Sequence, residues 1–316
     1  MSLSSRGQIQ AAHLLCETGV VLACVWEGDL PLDATVFPPI PMNTTKATQA
    51  IFGRSNFYLA IGDQVNHLFS GLVLEDLAEQ LQNPPRTLAM LYLITIFQYV
   101  ETLPDHFVPD ALRERIDWKY ALHLPLNALQ PGSLPLCEFR KMCLKERSDA
   151  QNFQMLLMRL SELSQSAGTQ LLNLEIHQII ARVCMFSRLT KIWEAFNQAL
   201  EAVATRRPDW LLANNLPHWY ERYGHRGESL PLQAGNQEQE ALAQTIGLDG
   251  TYLLKAISKS NLPALKGLPE VSALQQIWQE QFWQVEEEVL WRKAACAGCD
   301  FTAQICEPNK QHNLTH

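Results

Sequence analysis

The spacing of apolar residues constrains this fold more than any other feature of the sequence. Between Ile176 and Val183 the apolar residues fall three and four positions apart, and the same spacing returns from Trp193 to Val203. Such spacing places apolar side chains on one face of an α-helix. The most apolar segment, Leu88–Val100, contains two polar residues and is too short to span a bilayer, so we expect a buried core helix there.

Prolines and polar capping residues divide the rest of the chain into helices. Pro104 separates the core helix from a second amphipathic helix, and Pro208 ends the longest periodic segment. Residues 208–235 are aromatic and irregular, and the segment that starts at Thr169 can begin as a strand or as a helix. We therefore expect a mainly α protein with few strands. The predicted helices are 43–51, 62–69, 74–81, 86–102, 105–122, 133–147, 151–165, 176–205, 238–246, 250–259 and 271–293.

Composition limits the class of protein. The 316 residues are 47% hydrophobic and 18% charged, an ordinary globular composition with room for two domains. The formal net charge of -8 argues against a protein that coats nucleic acid, because neutralised phosphates supply most of the affinity of such proteins. Any DNA contact must then come from a local basic patch. Without a recognisable signal peptide or membrane span, we expect a cytoplasmic protein with no membrane partner and with reduced cysteines.

An ordered series of motifs carries a resemblance to a known family. The central motif is Arg115-Ile-Asp-Trp-Lys-Tyr-Ala-Leu122, followed by Leu134-Pro-Leu-Cys-Glu-Phe-Arg140. The other motifs, in chain order, are Phe37-Pro-Pro-Ile-Pro41, Asn56-Phe-Tyr-Leu59 with Asp63, Pro208-Asp-Trp-Leu211, His218-Trp-Tyr-Glu-Arg-Tyr-Gly224, Glu240-Ala-Leu-Ala243 and Ile246-Gly-Leu-Asp-Gly250. The series covers roughly residues 35–293 and resembles bacterial insertion-sequence transposases of the DDE class.

The resemblance implies a domain plan and a set of partners. Members of this family have a multi-helical N-terminal DNA-binding module and then a ribonuclease-H-like domain, in which three carboxylates hold two divalent metals, with Mg²⁺ as the cofactor. The implied divisions here are an irregular lead-in (1–42), the DNA-binding module (43–165), the mostly helical, incomplete start of the catalytic region (166–293) and a frayed tail (294–316). The implied partner is double-stranded DNA of the element's terminal repeats, with a second copy or a full-length transposase as a further partner.

The position of the family's first catalytic acid departs from the family pattern. Matching the following helix places Glu175-Ile-His177 where the family has an Asp-Ser-Thr-like motif. Glu reaches one methylene further than Asp, so a metal held by it would be displaced by about an ångström, enough to cost much of the rate. The other two acids lie on segments that this chain does not contain. We therefore assign no catalytic residue, expect no cofactor, and interpret the chain as a truncated transposase without complete DDE chemistry.

Seven cations form the predicted DNA contact. Helices 86–102 and 105–122 are joined by Leu103-Pro-Asp105, a spacing typical of a helix-turn-helix. Residues 110–147 contain seven Lys or Arg against five Asp or Glu, a local balance of +2 in an acidic chain. The alternative is a solvated helix face whose cations pair with neighbours such as Glu114 or Asp117. The seven cations are Arg113, Arg115, Lys119, Arg140, Lys141, Lys145 and Arg147.

Two further groups of residues allow more than one interpretation. Cys296, Cys299, Cys306 and His312 have a spacing that can hold a tetrahedral zinc, but a frayed tail explains them equally well. The aromatic residues of the 208–235 segment can stack on bases or pack as a small core, and we favour the core. These aromatic residues are Trp210, Trp219, Tyr220 and Tyr223.

Two functions remain open on the sequence alone. The first is a transposase, or its remnant, that recognises the terminal repeats of its element through the helical module. The second is a non-enzymatic helical protein that pairs with a full-length transposase and represses it, or a decayed product without a role. The motif series supports the family in both cases, whereas the missing acids separate the family from its activity.

Overall fold

The computed structural model describes residues 35–53, 56–128, 134–145, 147–167, 175–223, 235–285 and 288–292, with the backbone alone at 147–149, 164–167 and 285. This part of the chain forms fourteen α-helices and one β-hairpin. The prediction of a mainly α protein is therefore confirmed. The first 34 residues and the tail from residue 293, with Cys296, Cys299, Cys306 and His312, lie outside the described residues.

The elements follow one another along the chain with short connections. The first group is α1 (Met42–Ile51), α2 (Phe57–Leu68), α3 (Glu75–Leu81), α4 (Pro85–Glu101), a 3₁₀ turn (Asp105–Phe107), α5 (Val108–Glu114), α6 (Ile116–Ala121), α7 (Leu136–Lys145) and α8 (Arg147–Ala167). The second group is α9 (Ile176–Arg206), α10 (Pro208–Asn214), α11 (Pro217–Tyr223), α12 (Asn236–Lys259), α13 (Pro263–Lys266), α14 (Pro269–Gln281), β1 (Phe282–Val285) and β2 (Glu288–Trp291).

Helix α4 is the centre of the first core, as its apolar sequence predicts. Pro85 stands in its first turn, where a missing backbone N–H costs nothing. Every residue from Leu88 to Gln98 is buried, so the helix is surrounded by protein on all sides. Among the described residues, no single helix combines the length and apolar composition needed to cross a membrane. Only α4 taken together with Asp105–Glu114, across a bend of 113°, meets that test.

Helix α9 connects two hydrophobic cores. Its first part, Ile176–Phe186, packs into the core that surrounds α4. Its second part, Leu189–Val203, packs into a separate core with α11, α12, α14 and the hairpin. The predicted division after residue 165 therefore does not coincide with a change of core, which occurs within this helix.

Two sequence-based predictions of secondary structure in the middle of the chain are wrong. The predicted helix 105–122 is a 3₁₀ turn and two short helices, because Arg115 adopts an extended conformation with φ -81° and ψ 106°. The segment 208–235, predicted to be irregular, begins with α10 and α11. Each of these two helices starts with a proline, which favours a first helical turn.

The last elements also differ from the prediction. Residues 236–259 form one helix, where the sequence predicted two, 238–246 and 250–259. A Cβ on Gly247 would collide with the ring of Phe282, and one on Gly250 with that of Trp278, so both glycines let α14 and β1 approach closely. The predicted helix 271–293 ends at Gln281, and its remainder forms the antiparallel hairpin with Phe282 opposite Trp291.

Candidate functional site

The segment Arg115–Leu122, which carries the resemblance, folds around the guanidinium of Arg115. This side chain donates to Glu101 (Nη1–Oε2 2.6 Å) and to Asp117 (Nη2–Oδ2 2.7 Å). The rings of Tyr58 and Trp118 lie 5.5 and 5.7 Å from it, and both side chains also donate to Glu101. The hydrogen bonds that Arg115 donates to Asp117 and Glu101 raise the pKa of its guanidinium despite partial burial. The signature Arg therefore joins α2, α4 and α6 instead of presenting a free charge.

Two of the seven predicted DNA-binding cations are buried, and the prediction that they lie on an exposed face is wrong. Lys119 is 4% exposed, donates from Nζ to the carbonyl of Leu126, and has a pKa lowered by burial. Arg140 is 1% exposed and is paired with Asp105. Lys119 is buried because α6 is enclosed by protein at every position from Asp117 to Ala121.

The remaining predicted cations do not form one basic surface. Arg113 is half exposed but pairs with Asp110 (2.5 Å) and Glu114 (3.3 Å), so the exposed face of α5 has more acid than base. Lys145 is exposed and Lys141 is partly buried. The side chain of Arg147 lies outside the described residues. The ion pairs of Arg113 are those expected of a solvated helix face, the alternative to a DNA contact.

Glu175, at the family's first-acid position, is the N-cap residue of α9. Its side chain is 62% exposed and its Oε2 lies 3.2 Å from Nε2 of His177. Within the described ranges no three His, Cys, Asp or Glu side chains are grouped so that they could hold a metal. A single exposed carboxylate beside an imidazole does not fit a two-metal site, which requires several carboxylates at a fixed separation.

Two further segments that carry the resemblance, His218–Gly224 and Ile246–Gly250, meet at the carboxylate of Asp249. This residue belongs to the Ile246–Gly250 motif and is 4% exposed. It accepts from Tyr223 (2.7 Å), from Arg222, and from His218 (3.3 Å) in the motif on α11. Burial, and then the contact with Asp249, raises the pKa of Tyr223. The two motifs thus hold α11 against α12.

The aromatic residues of α10 and α11 pack mainly as a core. Trp219 is 3% exposed and meets Phe196 edge to face, with ring centroids 5.3 Å apart. Tyr223 lies 4.6 Å from the same ring, and Trp210 is partly buried against this core. Tyr220 is the exception at 74% exposed. The preferred interpretation is confirmed for Trp210, Trp219 and Tyr223.

Sequence reasoning missed the cations that the structure leaves without a carboxylate partner. Six exposed Lys or Arg side chains have no acidic group within 4.0 Å in the described part of the chain. Five of the six lie on α9, α12 and α13 or directly after α9, outside the predicted DNA-binding module. The six are Lys46, Arg206, Arg207, Lys255, Lys259 and Lys266.

Two of these cations line a groove between the end of α12, α13, α14 and the start of the hairpin, which we call the α12–α14 groove. Its volume is about 680 Å³, and the described residues that line it include Lys255, Lys266 and Arg292, with no Asp or Glu among them. The half-exposed ring of Trp283 forms part of its wall. The sequence could not predict this groove, because a continuous helix 271–293 would not bring Trp283 and Arg292 to Lys255.

Comparisons of the chain with known protein families, with curated proteins and with solved structures found no match.

Proposed function

We propose that this chain is an insertion-sequence transposase of the DDE class that binds the terminal repeats of its element and does not have complete DDE chemistry. The observation that carries the proposal is that motifs far apart in the sequence are partners in space. Tyr120 donates to Asp63 at 2.6 Å across 57 residues of chain. Asp249 likewise accepts hydrogen bonds from Arg222 and Tyr223, which precede it by 27 and 26 residues. Chance matches to separate motifs would not be expected to form joint contacts.

The position of Glu175 supports the proposal that residues 166–293 are the start of a ribonuclease-H-like domain. The resemblance implies an acid at the end of a strand, followed directly by a long helix. Glu175 directly precedes α9, whose 31 residues make it the longest helix in the described part of the chain. The segment in which the strand would lie is outside the described residues.

The proposal includes the absence of metal-dependent cleavage by this chain alone. Both metals of a DDE site need carboxylate ligands, and Glu175 has an imidazole as its neighbour. We expect no cutting of terminal-repeat DNA with Mg²⁺ or Mn²⁺. Cutting that disappears in Glu175→Ala, and persists in the matched exposed-acid variant Glu238→Ala, would overturn this part of the proposal.

An interaction protein is the second candidate, and one observation favours it. Met155 and Met158 on α8 are 41% and 63% exposed, and they stand three residues apart on one helix face. Exposed methionines suit adaptable contact with another protein. If this face pairs with full-length transposase, Met155→Ser with Met158→Ser should abolish co-purification of the two chains. Loss of the complex without loss of DNA binding would favour the repressor function.

The direct test of the main proposal is selective binding of duplex DNA. The full chain should prefer the inverted repeats that flank its gene over a scrambled duplex of equal length and composition. Equal affinity for the two duplexes would remove terminal-repeat recognition and leave the interaction protein.

A further inference from the structure

We propose that the α12–α14 groove binds a short stretch of single-stranded nucleic acid, with its phosphates on Lys255 and Lys266 and a base stacked on Trp283. The groove is separate from the helical module predicted to bind duplex DNA. The inference is based on the chemistry of the groove alone and does not require the transposase proposal.

The charge of the groove favours a polyanion. Lys255 and Lys266 are exposed, and no carboxylate pairs with them or with Arg292 in the described part of the chain. Lys259 lies one helical turn beyond Lys255, at the end of α12. Charges of one sign that line a concave surface concentrate the electric field there and attract ligands of the opposite charge. In a chain with a net charge of -8, a cluster of cations without a carboxylate partner among the described residues favours an anionic ligand such as a phosphate backbone.

The ring of Trp283 provides a stacking platform next to these cations. The guanidinium of Arg292 lies 3.6 Å from the ring centroid, and 49% of Trp283 remains exposed. Arg292 is held there by two backbone carbonyls, that of Gln279 (2.8 Å) and that of Phe282 (3.2 Å). Aromatic side chains beside cations are the usual means of binding single strands, because every base has a face on which to stack.

Polar groups along the groove complete a nucleic-acid-like binding surface. The side chains of Gln275, Gln279 and Gln284 are exposed along its wall. Thr251 also lines it, and its buried hydroxyl has no hydrogen-bond partner among the described residues. A buried hydroxyl without a partner is uncommon in native proteins, and a polar ligand atom at this wall would satisfy it.

The size of the groove and the need for stacking select a single strand over a duplex. A volume of about 680 Å³ lies within the range of small-ligand sites, roughly 300–1,000 Å³. A paired duplex keeps its base faces inside the stack and cannot offer one to Trp283. An acidic peptide would satisfy Lys255 and Lys266 but would leave the ring without a partner.

The test is a fluorescence anisotropy titration of the full chain with labelled oligothymidylate over a salt series. We expect binding that weakens with salt. Lys255→Gln with Lys266→Gln should lower the salt slope by about 0.7 for each lost phosphate contact. Trp283→Ala should weaken binding at least about fivefold, whereas Trp283→Phe should retain most of it. Thermal unfolding of each variant establishes that it is folded.

Matched controls make the outcome decisive. Lys46→Gln removes an exposed cation on α1, outside the groove, that pairs with no carboxylate among the described residues, and it should leave binding unchanged. The groove variants should also retain the affinity of the wild type for terminal-repeat duplex, so failure of one proposal is distinguishable from failure of the other. The inference is overturned by absence of oligothymidylate binding, by equal losses in Lys46→Gln, by parallel loss of duplex binding, or by polyglutamate competing as well as unlabelled oligothymidylate.

Discussion

The guanidinium of Arg140 and the carboxylate of Asp105 lie side by side, with Nη1–Oδ1 at 2.9 Å and Nη2–Oδ2 at 2.5 Å. Asp105 also accepts from Gln98 of α4 (2.9 Å) and from Ser187 of α9 (3.2 Å). One ion pair therefore connects α7 to the turn after α4 and to α9. Arg140, which the sequence suggested for DNA contact, thus holds these elements of the fold together.

Removal of Arg140 should destabilise the protein strongly. Arg140→Ala leaves the Asp105 carboxylate without its cation, and we expect a loss of about 3 kcal/mol in the free energy of unfolding. This is the lower end of the range for a broken buried pair, because Asp105 is partly exposed. The control Arg113→Ala breaks an exposed pair and should cost less than about 1 kcal/mol. Similar urea midpoints for the two variants would contradict the structural role of Arg140.

The same pair should make stability depend on acid pH. Burial by itself would raise the pKa of Asp105. The positive charge of Arg140, and the hydrogen bonds from Arg140, Gln98 and Ser187, outweigh burial and leave that pKa below its usual value. A carboxyl with a lower pKa in the folded state stabilises the protein above its unfolded pKa of about 3.9, and this contribution is lost as the pH falls through the folded pKa.

Unfolding of the wild type and of Asp105→Asn between about pH 7 and pH 2.5 measures this contribution. The difference between the two free energies of unfolding should be largest near neutrality and should shrink below about pH 4. A difference that stays constant with pH would show that Asp105 has the same pKa in both states.

Gly62 should not tolerate a side chain. A Cβ at this position would lie 2.6 Å from the ring of Tyr120 and 2.8 Å from its carbonyl oxygen, and the backbone atom cannot move aside cheaply. We expect Gly62→Ala to cost about 1–3 kcal/mol, as for other overpacked cores. At Gly53 no described atom outside its chain neighbours lies within 4 Å of an added Cβ, so Gly53→Ala should change stability by no more than about 0.5 kcal/mol. Thermal unfolding of the two variants compares them directly.

The tail from residue 294 should be dispensable for folding. It follows the hairpin and contains Cys296, Cys299, Cys306 and His312. We expect deletion of 294–316 to leave the melting temperature unchanged, with or without a chelator. Stoichiometric zinc in the purified protein, together with a melting temperature that falls on chelation, would instead establish a metal site there.

The sequence predicted correctly the helices whose apolar residues face a core without interruption. The prediction failed where the spacing of apolar residues did not match the local structure. Helix α4 and helix α9 follow directly from their spacing. The hairpin was missed because Trp278, Phe282, Val285 and Val289 keep helical spacing across the start of β1. Helix α12 was predicted as two helices, whereas it is continuous and its glycines accommodate rings from α14 and β1.

The candidate sites were less predictable than the fold. A local charge balance reports how many cations a segment has but not which are buried, so Lys119 and Arg140 could not be separated from Arg113. Lys255 and Arg292 meet at one groove only because α14 ends at Gln281 and the chain turns back as a hairpin. That reversal is a tertiary effect without a local signature.

A salt series of binding isotherms for the full chain, with terminal-repeat and scrambled duplexes, tests terminal-repeat recognition directly. We expect tighter binding of the terminal repeat at every salt concentration. The logarithm of the binding constant for both duplexes should fall linearly with the logarithm of the salt concentration, with a slope of about 0.9 for each phosphate contacted. Affinity that is independent of salt, equal affinity for the two duplexes, or no binding at low salt would contradict the proposed function.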